Sequence, residues 1–256
     1  MGTALITGGS SGIGASFARA LATRGENLVL VARDTEKLDR AAAALRLEFG
    51  VNVETVSADL AVRADVVRIG EILARTDDPI DTLVNNAGFG VHTSLLAEDT
   101  TPHEHAFDVM CRAVLMLGAV AGRTMKARGS GTIINISSAA GFITMGSYSA
   151  IKAWVRIYSE GLAVELKGSG VQVTALCPGW VHTDFHDRAG IRKSSIPEFL
   201  WIDLDEMVED GLADAVSGKV ISIPSKRYSA LMFVARHAPR NGIRWISGRI
   251  SSSRAH

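Results

Sequence analysis

Short apolar runs alternate along the chain with segments in which apolar residues recur every three or four positions. The short runs predict buried strands, and the helical spacing predicts helices that bury one face. Predicted strands lie at 3–6, 27–32, 51–57, 80–84, 131–136, 171–176 and 220–223, and predicted helices lie at 15–22, 35–49, 63–75, from 101 onward and from 148 to near 167. This repetition predicts an α/β fold with a doubly wound parallel sheet and helices on both faces. Ligands of such sheets bind at the carboxyl ends of the strands.

The long helix after residue 100 carries its own start signals. Thr101 is the predicted N-cap, Pro102 the first helical position and Glu104 the third. This order is typical of a helix start, because the missing N–H of proline is not needed there and the glutamate completes a capping box.

Composition narrows the class of protein. No linker, repeat or low-complexity tract divides the 256 residues, so we expect one domain. The formal net charge of zero argues against a nucleic-acid partner. Cys111 and Cys177 stand in apolar runs, as buried reduced thiols of a cytoplasmic protein do. The first strand begins almost at the first residue, so we expect no signal peptide, and no apolar run reaches transmembrane length.

A glycine-rich turn joins the first predicted strand to the first predicted helix. It reads Thr7-Gly8-Gly9-Ser10-Ser11-Gly12-Ile13-Gly14. Glycines let the backbone approach a pyrophosphate, and the N–H groups of the helix start receive its negative charge. The flanking strand and helix favour a dinucleotide site over an ordinary Gly/Ser turn. The same letters match the nucleophile elbow of hydrolases, with Ser10 as nucleophile, but an elbow serine normally follows several strands rather than one.

Tyr148 and Lys152 are four residues apart in a predicted helix and therefore share one face. A nearby ammonium stabilises phenolate, so we expect Lys152 to lower the pKa of Tyr148. That change would make the phenol a proton donor usable near neutral pH. Taken alone, the same spacing is common in surface pairs.

Five motifs, by their order and spacing, resemble the classical short-chain dehydrogenase/reductase family over most of the chain. They are the glycine turn 7–14, Asn85-Asn86-Ala87-Gly88, Ile136-Ser137-Ser138, Tyr148-Ser149-Ala150-Ile151-Lys152 and Pro178-Gly179. The resemblance implies one Rossmann-type domain over residues 1–256 and a nicotinamide cofactor. It also implies hydride transfer between that cofactor and a carbonyl or secondary alcohol, and self-association as a homodimer or homotetramer.

The resemblance implies roles for individual residues. Tyr148 protonates the alkoxide, Lys152 tunes Tyr148 and holds the nicotinamide ribose, and Ser138 stabilises the carbonyl oxygen. Further cofactor contacts are implied for Gly8, Ser10, Ser11, Gly12, Ile13, Gly14, Asp59, Leu60, Asn86, Ala87, Gly88, Tyr148, Lys152, Pro178, Gly179, Val181 and Thr183. Asp59 resembles the adenine contact and Thr183 the contact to the nicotinamide amide. The alternative interpretation makes Ser138 a hydroxyl that caps local backbone and Asp59 an ordinary helix cap.

The residues after the second predicted strand bear on the choice of cofactor. Enzymes that prefer NAD usually carry an acid where this chain has Ala32, and Arg33 follows it. A guanidinium matches a 2′-phosphate in charge and geometry, so we expect NADP(H) rather than NAD(H). The other interpretation of Arg33 is a solvent-exposed arginine.

Met110 departs from the family pattern. The family usually carries a catalytic asparagine in the middle of this long helix, and no asparagine occurs between Asn86 and Asn135. Methionine cannot donate a hydrogen bond. Backbone and water must then replace the asparagine, or the proton relay is impaired and the protein binds cofactor with little catalysis. The segment from Ser138 to Tyr148 is also shorter than in many members, which alters the mouth of the substrate pocket.

Two later segments bear on substrate and partners. Residues 183–215 are a predicted substrate lid with many apolar side chains, and core packing explains the same composition equally well. A lid of this kind suits a lipophilic ketone, such as a steroid-like or 3-ketoacyl compound.

Residues 225–256 form a basic C-terminal segment, because no Asp or Glu follows Asp214. This segment is either a solvated end or a contact with an anionic partner or membrane surface.

Three histidines near the start of the long helix raise the question of a metal. They are His92, His103 and His105. Residues two apart on a helix do not share a face, so we expect a surface cluster and no metal site.

Overall fold

The computed structural model describes residues 2–181 and 201–237, together with positions 198, 239, 241, 242 and 244. Its strands are β1 Thr3–Thr7, β2 Asn27–Ala32, β3 Val53–Ser57, β4 Thr82–Asn85, β5 Gly131–Ile136, β6 Val171–Leu176, β7 Trp180–Val181, β8 Trp201–Ile202 and β9 Ile221–Ser222. Its α-helices are α1 Gly12–Thr23, α2 Thr35–Phe49, α3 Arg63–Leu73, α4 Thr101–Phe107, α5 Ala113–Arg128, α6 Gly146–Glu165, α7 Leu204–Val216 and α8 Lys226–His237.

Seven strands form one parallel sheet in the order β3-β2-β1-β4-β5-β6-β9. The chain moves outward from β1 to β3, then returns beside β1 with β4 and moves outward on the other side. This reversal confirms the predicted doubly wound sheet. It also opens a crevice between the carboxyl ends of β1 and β4, where ligands of such sheets bind.

Alternate residues of each strand supply two separate cores. Leu5 belongs to the core under α3 and α5, whereas its neighbour Ile6 belongs to the core under α1, α2 and α7. Both side chains are fully buried. Because successive strand residues point to opposite faces, continuous apolar runs are what a sheet covered on both faces requires.

The start of the long helix differs from the prediction. The N-cap is Thr100 rather than Thr101, and its hydroxyl lies 2.7 Å from the Glu104 carboxylate. The Asp99 carboxylate accepts a hydrogen bond from the Thr101 N–H at 2.9 Å. The helix therefore begins at Thr101, one residue earlier than predicted, and Asp99 rather than the cap residue accepts from its first N–H.

That helix is continuous from Thr101 to Arg128 but contains a π-helical turn, Asp108–Arg112, between α4 and α5. The sequence predicts no apolar run of transmembrane length, but this segment, alone among the described residues, is long and apolar enough to cross a membrane, judged by length and composition only. Its most apolar stretch is 56% buried, and α5 packs against α3 and β5. Core helices of this kind pass the same test, so composition here is weak grounds for a membrane span.

The predicted lid is partly a core helix. Within 183–215, α7 buries Met207, Val208 and Leu212 against the side of the sheet that α1 covers. Core packing is therefore the correct interpretation for this part. Most of residues 183–200 lie outside the described residues, and their role as a lid stays a prediction.

Candidate active site

Ser138, Tyr148 and Lys152 meet at the carboxyl end of β5. Ser138 comes two residues after β5, and the other two lie in the first turns of α6. The side chains of Ser138 and Tyr148 are hydrogen-bonded to each other. The Lys152 Nζ lies 5.7 Å from the centre of the Tyr148 ring and donates a hydrogen bond to the Ile136 carbonyl at 2.8 Å. The i, i+4 spacing and the strand end thus bring three reactive groups into one site.

The direction of the predicted pKa shift of Tyr148 is wrong for this structure. Burial raises the pKa of Tyr148 to about 12, and the hydrogen bond with Ser138 opposes that rise. Burial also lowers the pKa of Lys152 to about 8. Both groups are removed from water, which disfavours the charged form of each. The Lys152 ammonium donates to a backbone carbonyl, so it does not offset the rise in the pKa of Tyr148 that burial causes.

Ser137 and Ser138 have different partners. The Ser137 hydroxyl is buried and donates to the Lys152 carbonyl at 2.7 Å, which ties the end of β5 to α6. The Ser138 hydroxyl accepts from the Ala140 N–H at 3.1 Å and reaches Tyr148. Of the two serines, Ser138 is therefore the one whose hydroxyl lies beside Tyr148.

The glycine turn is shaped by close packing. Gly8 and Gly12 have φ angles of +68° and +54°, which side chains with a Cβ rarely adopt. A methyl group on Gly14 would collide with the Gly8 carbonyl and lie 2.6 Å from the Asn86 amide nitrogen. That amide donates to the Thr7 carbonyl at 2.9 Å and so fastens the turn to the end of β4.

The start of α1 suits an anionic group. The first turn of α1 holds no acidic residue. The first N–H groups of a helix have no partner inside the helix and carry partial positive charge. Since these groups lie at the crevice beside β1, the residues present fit a pyrophosphate.

Arg33 and Asp59 lie at the carboxyl ends of β2 and β3. Their nearest charged atoms are 4.0 Å apart, and the Arg33 side chain is 66% exposed. The Asp59 carboxylate accepts from the Ala61 N–H at 2.9 Å. Leu60 is buried in the core, so only its backbone can face a cofactor.

The segment after β6 closes the other side of the site. The Pro178 carbonyl accepts from the Ala139 N–H at 2.8 Å, next to Ser138. Gly179 packs directly on the ring of Tyr228, which leaves no room for a Cβ. Val181 is buried in β7, and Thr183 lies outside the described residues.

Comparison with known proteins identifies the family. A family model described as short chain dehydrogenase matches residues 2–193. The chain belongs to the short-chain dehydrogenase/reductase family. This membership supports the dinucleotide interpretation of the glycine turn over the hydrolase elbow at Ser10.

Three relatives are similar to this chain over most of its length. A short-chain dehydrogenase from Sphingobium yanoikuyae in complex with NADPH is 37% identical, with a TM-score of 0.83 over 92% of this chain and 94% of that one. A bulky-bulky ketone specific alcohol dehydrogenase from Comamonas testosteroni is 33% identical, with a TM-score of 0.78 and 92% coverage of each chain. Galactitol 2-dehydrogenase (L-tagatose-forming) of Cereibacter sphaeroides is 31% identical over 230 residues, which are 87% of each sequence.

Met110, the residue that departs from the short-chain dehydrogenase pattern, lies in the π-helical turn. Its side chain is 1% exposed. A methyl group built on Gly88 would lie 2.9 Å from the Met110 Sδ and 3.6 Å from the Lys152 Nζ. The thioether therefore lines the same site as the lysine. A π-helical turn also changes the hydrogen-bond partners of its backbone carbonyls, and such turns are frequent at functional sites.

The sequence interpretation missed Asn135 and Tyr228. Asn135 is fully buried, accepts from the Asn85 amide at 2.9 Å and donates to the Ser159 hydroxyl at 2.9 Å. These two hydrogen bonds link β4, β5 and α6 beneath the reactive groups. The signal was a single amide in an apolar strand. Tyr228 left no such signal, because its contact with Gly179 joins segments distant in sequence.

Two of the three histidines, His103 and His105, make contacts with neighbouring segments. His103 Nε2 donates to the Ser94 carbonyl at 3.0 Å, and its Nδ1 lies 2.5 Å from the Ser147 hydroxyl. His105 stacks on Phe89 with ring centres 5.2 Å apart. His103 thus connects the segment after β4 to the start of α6, one residue before Tyr148.

Proposed function

We propose that this short-chain dehydrogenase reduces a ketone with NADPH and catalyses the reverse alcohol oxidation. The observation that carries the proposal is the hydrogen-bonded Ser138–Tyr148 pair beside Lys152, at the carboxyl end of a sheet whose first turn fits a pyrophosphate. A panel of ketones with NADPH tests it, because reduction lowers the absorbance of the reduced cofactor.

The chain supplies a proton and holds the carbonyl. A bound nicotinamide cofactor supplies the hydride in reduction and accepts it in oxidation. The Ser138 hydroxyl donates to the carbonyl oxygen and stabilises the charge that develops there. The Tyr148 hydroxyl, in contact with Ser138, gives its proton to that oxygen. Because burial raises the pKa of Tyr148 to about 12, the phenol stays protonated near neutral pH, which is the form that reduction requires.

Lys152 is proposed to hold the nicotinamide ribose, as its place in the family pattern implies. It is 4% exposed and fixed by the Ile136 carbonyl, so its position is defined before any ligand binds. The glycine turn, Asn86 to Gly88 and the start of α1 are proposed to hold the rest of the cofactor. Arg33 is proposed to bind a 2′-phosphate.

We propose a lipophilic ketone as the substrate class. The ketone-specific Comamonas relative supports this proposal, and so do the apolar residues between positions 185 and 200 of the sequence. The galactitol dehydrogenase relative shows that polar substrates also occur at this level of identity. A panel that spans polyols, small ketones and bulky ketones separates these classes by kcat/KM.

The alternative function is cofactor binding with weak or no catalysis. Met110 is the observation that favours it, since a thioether cannot donate the hydrogen bond of the usual asparagine. The π-helical turn around Met110 favours catalysis, because a backbone carbonyl there can hold a water near Lys152. A bridging water can be nearly as good as a direct hydrogen bond.

Met110→Asn tests which view is correct. If backbone and water suffice, we expect kcat for ketone reduction to change by less than about threefold. Met110→Leu is the control, because it keeps an apolar side chain without a donor, and it should behave like the wild type. A rise of tenfold or more in Met110→Asn alone would show that the relay is impaired in this protein. If no form reduces any ketone while all bind NADPH, cofactor binding is the function.

We propose a homodimer or homotetramer in solution, assembled through α5 and α6. Leu115, Ile157 and Val164 are 46%, 55% and 74% exposed on these helices, and the Trp154 and Tyr158 rings stack 5.0 Å apart. An exposed apolar face of this extent marks an interaction site.

Light scattering at micromolar concentrations should give at least twice the chain mass of 27.2 kDa. Ile157→Glu should shift that mass toward the monomer, because it places a charge in the apolar face. Leu47→Glu, at a residue that is 90% exposed on α2, should leave it unchanged. A monomeric wild type would contradict the proposal.

We also propose the cytoplasm as the compartment. Cys111 and Cys177 are both free and buried, which fits a reducing environment.

A further inference from the structure

The inner face of α8 is fixed to the body of the protein. Tyr228 and Met232 are 5% and 4% exposed and pack in a small core with Phe142 and Cys177. The Tyr228 hydroxyl accepts from the Trp180 N–H at 3.1 Å. This helix is therefore held at a defined position rather than attached loosely to the surface.

The outer face of α8 is apolar and exposed. Ala230, Phe233, Val234 and His237 follow the i, i+3, i+4, i+7 spacing of one helix face. Phe233 and Val234 are 64% and 61% exposed, and the adjacent Leu231 is 50% exposed. Exposed apolar residues clustered on one helix face point to a binding surface rather than to chance exposure.

Two basic residues lie at the start of this face. Lys226 and Arg227 are exposed in the first turn of α8, on the same side as Ala230. After Asp214 the sequence contains eight Lys or Arg residues and no Asp or Glu. The rest of the chain has an excess of acids, since the formal charge of the whole is zero.

We propose that the outer face of α8 docks on an anionic lipid surface. Helices that lie in a membrane interface combine exposed Phe and Leu with Lys and Arg, and anionic lipids attract basic segments. Both features are present on this one helix. Lys226 and Arg227 are both cations, so the surface that complements this face is an anionic one.

Docking would also orient the active site. α8 packs against the 3₁₀ turn Ala139–Phe142, which directly follows Ser138. The helix that would contact the lipid is therefore in direct contact with the turn that follows Ser138. The docking proposal itself does not depend on the proposed reaction.

Sedimentation with lipid vesicles tests the docking. The full chain should sediment with vesicles of phosphatidylcholine and phosphatidylglycerol at 3:1, and much less with phosphatidylcholine alone. The double variant Phe233→Glu/Val234→Glu should bind the anionic vesicles at least about tenfold more weakly. Lys226→Glu/Arg227→Glu should lose the preference for the anionic vesicles, and added salt should weaken wild-type binding.

Controls separate docking from unfolding and from self-association. Leu47→Glu and Arg63→Glu make the same kinds of substitution, one residue at a time, at exposed positions on α2 and α3 and should bind vesicles like the wild type. All variants should keep the wild-type circular dichroism and midpoint of thermal unfolding. The proposal fails if the wild type does not sediment with anionic vesicles or if the α8 variants bind like the wild type. It also fails if Phe233→Glu only lowers the mass in light scattering, because α8 would then contact a second copy of the chain.

Discussion

Tyr148→Phe should lower kcat for ketone reduction by at least about a thousandfold, within the range that a positioned general acid contributes. The change removes the hydroxyl that is hydrogen-bonded to Ser138 and keeps the ring beside Lys152. No other hydroxyl on α6 is paired with Ser138 among the described residues, so we expect no substitute proton donor. Cofactor affinity, measured by titration of NADPH fluorescence, should stay within about twofold, because the hydroxyl is the only group lost.

Tyr158→Phe is the matched control for this prediction. It makes the same chemical change on the same helix, where the hydroxyl donates to the Leu115 carbonyl at 3.4 Å. We expect its kcat to remain near that of the wild type. Turnover by Tyr148→Phe within tenfold of the wild type would assign proton donation to another group, and the roles proposed for Ser138 and Lys152 would need revision.

The sheet could be predicted because its strands are buried on both faces. Residues 28–32 are a continuous apolar run, residues 133–136 are apolar except for Asn135, and the structure places β2 and β5 at those positions. The glycine turn could be predicted because backbone conformation and close approach leave few alternatives to glycine at Gly8 and Gly14. Local sequence therefore carries the information for these two features.

Features that depend on contacts between distant segments could not be predicted in the same way. The packing of Tyr228 on Gly179 joins α8 to the loop after β6. Met207 of α7 packs in the same core as the buried residues of α1, although the apolar residues of α7 would suit a lid equally well. The π-helical turn at Met110 has no sequence signal, because it changes hydrogen-bond partners without changing the hydrophobic period enough to detect.

The electrostatics of the site show a further limit. Helical spacing correctly places Tyr148 and Lys152 on one face, but it gives neither the depth of burial nor the direction of the ammonium. Burial dominates both groups and moves the pKa of Tyr148 upward and that of Lys152 downward. Spacing alone predicts that Tyr148 and Lys152 form an ionised pair. Burial instead shifts the pKa of each group in the direction that favours its neutral form.

Arg33→Asp should reverse the cofactor preference. We expect the wild type to bind NADPH at least about tenfold more tightly than NADH, which corresponds to about 1.4 kcal/mol. In Arg33→Asp the ratio should change by about a hundredfold, because the variant removes a cation that can pair with the 2′-phosphate and adds an acid. That acid would stand near the Asp59 carboxylate, now 4.0 Å from the guanidinium, so two negative charges would face the phosphate. Titration of both cofactors into both proteins measures the ratio directly.

Two control variants make this result specific to Arg33. Arg123→Asp makes the same change at an exposed position on α5, toward the opposite edge of the sheet, and should leave both affinities unchanged. Arg33→Gln removes the charge without adding an acid, so it should weaken NADPH binding while leaving NADH binding nearly unaltered. The guanidinium is 66% exposed and its ion pair with Asp59 is long, so little local structure depends on it. Equal affinities for the two cofactors in the wild type, or an unchanged ratio in Arg33→Asp, would show that Arg33 is only a solvent-exposed arginine and that another group selects the cofactor.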